Sequence, residues 1–406
     1  MTAVRRLPAD AVARSGYGWW LAGSAVSLLG SSAQGFALGW SAAGYGGSWA
    51  ALVLTATTAP RLVLALFGGA VADRYGPWRV LVGASVSMLA VMAGLAVAVA
   101  AVGIGPPLLL AVAVLLGAAS AFQYPAAGSV VRHLAADRAL GRAMAANQVA
   151  GRASAFVGPA LGGLLVAALG LLGTSVLDAA SYLGLLGVLV LLRGRLDRPG
   201  LVDGGGVVAR IRAGIVVVAA DRLLRALLAL VAVTAGCLLP IASLLVPLLV
   251  RQHGWPAATA GWVVGAEALG VGSVIVLVLL RGTARRAGVV LAGGLLLAGF
   301  GAGCLAFAGS GRAATGAAFV LGLGTGAFTT HIGPLLLRAS PTEYLSRIQA
   351  VLLIVQTAPL LLTLNVFGWL ADRVGAGAVV AGCAVPALLA GLCGLASRRL
   401  RGVLAG

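Results

Sequence analysis

Lysine is absent from the 406 residues, and only ten residues are acidic. Charged residues make up 9% of the chain, against about 25% in soluble domains. So little charge cannot cover a water-facing surface, which excludes a water-soluble globular fold. Four cysteines, Cys237, Cys304, Cys383 and Cys393, each sit in an apolar stretch without disulfide or metal spacing. They read as small buried hydrophobes, and no metal or other cofactor is expected. No nucleotide-binding loop, metal-ligand cluster or nucleophile–base pair is visible. An ATP-driven pump and a membrane enzyme therefore find no support.

What fills the chain is apolar: 61% of residues are hydrophobic, and 61 glycines and 15 prolines are interleaved with Leu, Val and Ala. That mixture fits close-packed membrane helices. A helix needs about 20 apolar residues to cross the roughly 30 Å hydrocarbon core. Twelve stretches meet this, at 17–42, 48–72, 78–101, 106–132, 144–168, 171–192, 223–250, 256–280, 287–309, 313–338, 346–370 and 376–397. Pro334 and Pro359 predict kinks in the tenth and eleventh spans. Arg5, Arg6 and Arg14 precede an apolar run, as in a signal peptide, but that run continues from Gly16 to about Tyr45 with no cleavage site. It reads as a first spanning helix.

The formal charge of +18 comes from 28 arginines, and their positions explain it. With the amino terminus in the cytoplasm, 23 fall in the amino-terminal segment, the even-numbered connections and the tail. Only Arg251, Arg312 and Arg373 fall on the other side, while Arg61 and Arg152 lie within spans. The positive-inside rule puts both ends in the cytoplasm, and the expected membrane is the plasma membrane of a bacterium. The charge is topology, with no nucleic-acid partner implied.

The chain also repeats itself at about 206 residues. Ala121-Phe122 recurs as Ala327-Phe328, Arg132 as Arg338 and Asp137 as Glu343; with a one-residue slip, Arg142 matches Arg347, Gly163 matches Gly368 and Gly170 matches Gly375. The expected fold is all-α and integral to the membrane, twelve transmembrane helices in two parallel six-helix halves. Its divisions are a cytoplasmic segment 1–16, halves at 17–192 and 223–397, a linker 193–222 and a tail 398–406. The linker's second part reads as a helix on the inner leaflet.

The sequence GGAVADRYGPWR at 68–79 lies between the second and third spans. Gly69, Asp73, Arg74, Gly76 and Arg79 match a loop motif, and here the chain resembles the major facilitator superfamily. Trp78 stands at a position usually basic in that family. The resemblance implies a latch on the cytoplasmic side, with Asp73 capping a partner helix whose dipole favours an anion by about 0.3–1 kcal/mol. RGTARRAG at 281–288 is the matching loop of the second half but lacks the aspartate. A second Ala-Asp-Arg, at 371–373, falls on the outer face and reads as accidental.

In the fifth span, Gly158, Pro159, Gly162 and Gly163 resemble the antiporter motif of drug-exporting members, although Ser154 replaces a further glycine. Proline kinks the helix and the glycines thin one face; ordinary small-residue packing is the alternative. FQYPAAGSVVRHL, DAASYLGLLG and IRAGIVVVAADRLLR resemble the branch of siderophore exporters and macrolide efflux proteins. Many of its members carry an acid in the first span where this chain has Ser31.

Ionisable groups at membrane depth are costly and mark function by default. Glu267, near the middle of the eighth span, is the expected proton-coupling carboxylate, with Arg152 of the fifth span its expected partner. Burial favours the neutral carboxyl and a nearby arginine the carboxylate, so alternating contact would load and release a proton; a structural ion pair is the competing reading. Arg61 would bind an anionic group or pair with Asp178, itself equally readable as a packing residue. His331 is placed in the outer-to-middle part of the tenth span. Gln34, Gln123, Tyr124, Gln356 and Asn365 could line a cavity or bridge helices.

These readings imply a monomeric secondary transporter, and no enzyme, that exports small organic molecules in exchange for protons by alternating access. Its partners are substrate, protons and the bilayer. An importer or uniporter of the same fold is the near alternative, and a non-transporting membrane sensor a more distant one.

Overall fold

The computed structural model describes residues 16–134, 140–193, 218–219, 221–282, 284, 286–340 and 345–397. The amino-terminal segment, most of the 193–222 linker with its expected interfacial helix, Asp137, Glu343 and the tail lie outside the described residues. So do the side chains of Asp73, Arg132 and Arg347.

Among the described residues the secondary structure is helical throughout. The helices are α1 (Tyr17–Ala43), α2 (Gly47–Tyr75), α3 (Pro77–Val102), α4 (Pro106–Leu134), α5 (Leu140–Leu191), α6 (Arg222–Gln252), α7 (Ala257–Arg281), α8 (Ala287–Ala306), α9 (Gly311–Ala339), α10 (Leu345–Val374) and α11 (Ala376–Ala396). Nine of them, α3 to α11, are long and apolar enough to cross a membrane. Helices α1 and α2 occupy the first two expected spans. Helix α5 covers the fifth and sixth spans, bending at Gly170. Helical stretches thus lie at all twelve expected spans, and the apolar criterion alone supports nine helices.

Local chemistry sets the ends. Asp221 caps α6 by accepting from the N–H groups of Leu223 and Leu224 at 2.6 and 3.1 Å, and Ser310 Oγ caps α9 through Ala313 N–H at 3.3 Å. Gly170 (φ 66°, ψ −173°) and Gly375 (φ 89°, ψ 150°) make the sharp turns before the last crossing of each half. A side chain is strained in that backbone region, which is why the repeat keeps glycine at both. Gly76 and Gly282 form a second such pair.

Large apolar side chains face outward along these helices, among them Val102, Leu191, Leu279, Leu280 and Phe300. In water that surface would aggregate; in lipid it is the required exterior. The protein is a multi-pass integral membrane protein. Cys383 is buried as expected and Cys237 half-buried, but Cys304 and Cys393 are exposed among these apolar side chains.

The chain forms two compact units. One holds the chain up to Ala37, Ala56–Gly158 and the stretch from Leu169 to Asp203; the other holds Leu38–Thr55, Pro159–Ala168 and the chain from Gly204. The first is centred on Trp20, Leu81, Met88, Val130, Tyr182, Leu185 and Leu189. Tyr17 OH donates to Ala143 O at 2.6 Å. Trp78 has a structural task in the loop motif: its Nε1 donates to Leu189 O at 2.9 Å, and the Arg193 guanidinium lies 5.3 Å from its ring centre.

The second unit packs by glycine. A Cβ on Gly322 would enter the Glu267 backbone, one on Gly270 would strike Phe319 O, and one on Gly324 would strike Ala298 N. Helices α7, α8 and α9 therefore approach almost backbone to backbone, as small residues allow in lipid.

Candidate functional site

In the first unit a buried polar cluster forms where α1 meets the second part of α5. Asp178 is only 2% exposed, and its Oδ1 accepts from Ser181 Oγ at 3.2 Å and from Ser31 Oγ at 3.5 Å. Ser31 Oγ lies 2.7 Å from Tyr182 OH, which in turn donates to Gln123 Oε1 at 3.5 Å. One turn further along α1, Gln34 Nε2 donates to Ser175 Oγ at 3.0 Å. Gly30 makes the arrangement possible, since a Cβ there would press on the Asp178 carboxylate and Ser181 Oγ.

Two features of this cluster bear on chemistry. Asp178 receives only hydroxyl donors, and among the described residues it forms no ion pair. Gln34 Oε1 is buried with no hydrogen-bond partner. An acceptor left so costs about 1–3 kcal/mol, and a ligand or water bearing an N–H or O–H would satisfy it.

The expected partner of Asp178 is elsewhere. Arg61 is exposed, with its guanidinium 5.7 Å from the Tyr124 ring centre, and no ion pair joins it to Asp178 among the described residues. The cation is drawn to the ring face instead.

Glu267 stands in the second unit, on α7. It is half-buried and makes no hydrogen bond or ion pair among the described residues. Its helix meets the latter part of the fifth span: a Cβ on Gly261 would strike Ala160 O, Gly163 and Leu164, and one on Gly265 would touch Ala160. Arg152 belongs to the other unit and is exposed.

Of the antiporter-like residues, Gly158 is buried against α1, where a Cβ would collide with Ser32. Gly162 and Gly163 are also buried. The passage from one unit to the other falls between Gly158 and Pro159. In the loop motif, Gly69 and Asp73 lie within the last turns of α2, Gly76 takes a positive φ of 86°, and Arg74 and Arg79 are exposed.

His331 is at the opposite end of α9 from the one expected. Its Nε2 accepts from Ala284 N–H at 3.3 Å, in the turn between α7 and α8, and Nδ1 is 2.9 Å from Ala327 O. Helix α9 starts at Gly311, so about 20 residues at about 1.5 Å each carry His331 some 30 Å along it. With Nδ1 donating and Nε2 accepting, the neutral ring is satisfied, as a structural residue would be. Asn365 Nδ2 donates to Thr55 Oγ1 at 2.8 Å, and Gln356 is exposed.

Sequence reasoning expected the span at 223–250 that α6 fills, but missed the irregularity within this helix. It contains two π-helical turns, Thr234–Leu238 and Ile241–Leu245, flanking Pro240. Pro240 was a visible signal, since it lacks the N–H that a regular helix needs. Such turns concentrate at functional sites, and here Gly236 packs on Pro359 and Thr363 of α10.

Apolar crossing helices and glycine-mediated contacts define a polytopic membrane protein. Residues 15–363 match the family described as Major Facilitator Superfamily, and the chain belongs to that superfamily. The search of curated proteins finds no match. Solved structures with this fold include a POT family transporter in complex with thioalcohol conjugated peptide (13% identity, 94% of this chain and 95% of that one, TM-score 0.72). Another is a POT family transporter in complex with 5-aminolevulinic acid (13% identity, 95% and 96%, TM-score 0.72). A third is the peptide transporter POT in complex with sulfate (14% identity, 96% of each chain, TM-score 0.71). At such identities the likeness establishes the fold.

Proposed function

We propose that this protein is a secondary transporter of the bacterial plasma membrane that exports small organic molecules in exchange for protons. The carrying observation is a carboxyl, Glu267, at mid-helix with no bound partner among the described residues. A charge at that depth is costly, so a carboxyl left unpaired suits a group that gains and loses a proton during the cycle. The Asp178–Ser31–Tyr182–Gln123 cluster, with Gln34 beside it, is the proposed substrate site. Its donors and acceptors fit a polar or amphipathic molecule carrying hydroxyl or amine groups, and Arg61 and Arg152 add a preference for anionic groups. The buried glycines around Gly158 support the exporter reading, and drug-like, macrolide-like and siderophore-like compounds are the substrate classes to try first.

The test uses inside-out vesicles with an acidic interior, a pH-sensitive dye and a panel of macrolides, siderophores and lipophilic cations. A substrate-triggered proton leak in the wild type, lost in Glu267→Gln, is the expected result. A leak that persists in Glu267→Gln but vanishes in Asp178→Asn moves coupling to the cluster. An importer of the same fold is the second reading; the peptide and 5-aminolevulinic acid of the complexes named above are compounds to try for it, and it predicts their uptake driven by an inward proton gradient.

A further inference from the structure

Within the second unit, the turn between α1 and α2 is tied down by three side chains distant in sequence. Asp372, near the end of α10, accepts from Gly47 N–H at 2.5 Å, Ser48 N–H at 2.9 Å and Ser48 Oγ at 2.7 Å. Its carboxylate thus caps the first turn of α2, where unpaired N–H groups and the helix dipole both favour an anion. The backbones touch at the same point: a Cβ on Gly47 would strike Gly368 O, and one on Gly368 would strike Gly47 O. The Arg251 side chain donates to Trp40 O through Nε and Nη2 at 3.2 and 2.8 Å, with its guanidinium 4.3 Å from the Trp40 ring centre. Asn365 bonds Thr55 on the next turns of α2. Asp372 of the Ala-Asp-Arg at 371–373 therefore has a structural task.

We infer that Asp372 is the latch of the outer gate. Every one of these contacts joins residues 38–55, from the first half of the repeat, to residues beyond 250 in the second. The inference rests on the transporter reading, in which the two halves part on alternate sides of the membrane. Opening toward the exterior must free Gly47 and Ser48 from Asp372, and α2 carries the GGAVADRYG motif at its other end.

The experiment places spin labels at Tyr45→Cys and Phe307→Cys, both exposed turn residues, in full-length protein whose four native cysteines are replaced by serine. Distances are read in liposomes by double electron–electron resonance. Asp372→Ala should raise the ratio of long to short distances by roughly tenfold, the scale of a well-placed charge on a helix end. Ser48→Ala, which leaves both N–H donors, should raise it about two- to threefold. Asp372→Asn, isosteric but uncharged, should fall between them and serves if the alanine variant does not fold. Unchanged distances in Asp372→Asn and Ser48→Ala, with the proteins folded, overturn the latch. Distances that shift in a protein showing no proton-coupled flux keep the latch and sink the transport reading.

Discussion

Replacing Gly158 with alanine tests whether the antiporter-like glycine is a packing requirement. The added Cβ would collide with Ser32, chiefly with its Cβ, and would also lie 3.2 Å from Leu29 O. A Cβ cannot swing away as a chain end can, so α1 and α5 must separate by on the order of 1 Å to regain the usual 3.5–4.0 Å carbon contact. Overpacking of this kind costs about 1–3 kcal/mol. The partner is named by the geometry, so Ser32→Gly should rescue: it removes the struck atom for about 0.5 kcal/mol of helix propensity. Unfolding free energies from SDS titration in mixed micelles would give the double-mutant cycle. Coupling of at least about 1 kcal/mol is expected for residues in contact. A Gly158→Ala protein as stable as the wild type, or one that Ser32→Gly fails to rescue, would refute the packing argument.

Alanine at Gly170 or Gly375 should cost about 1–3 kcal/mol, because both occupy backbone regions that strain a side chain. Alanine at Gly184, which meets open space inside α5, should be neutral or mildly stabilising in the same titration. Tyr182→Phe should destabilise by about 0.5–1.5 kcal/mol. Combined with Ser31→Ala it should cost less than the sum of the two, since each removes one end of the same 2.7 Å contact; strict additivity would show that the two hydroxyls do not interact.

Much of the architecture was legible because membrane helices are written in composition. The weak repeat has a structural counterpart at Gly170 and Gly375, where backbone geometry demands glycine. Asp178 and Ser31 were both singled out from the sequence. Their meeting was not legible, since 147 positions separate them and periodicity says nothing of which helices touch. The same holds for Asp372, whose partners lie more than 320 positions away. Composition and spacing could flag a carboxylate at a helix end, but only packing reveals whose amide groups it meets. His331 failed for a simpler reason. Its place along α9 follows from the direction the helix runs, and a count from the wrong end reverses it.

The two π-helical turns of α6 have a geometric effect on Arg251. In each, a backbone N–H reaches one residue further back, Leu239 to Thr234 and Val246 to Ile241, so each holds one residue more than an α-helical turn. An extra residue rotates everything after it by about 100°. Two rotate it by about 200°, a little over half a revolution. On an unbroken helix the Arg251 side chain would leave from roughly the opposite side of α6, away from the Trp40 carbonyl it now holds. The irregularity beside Pro240 works as a phase shifter, selecting by the number of residues in two wide turns which neighbour a distant arginine can grasp.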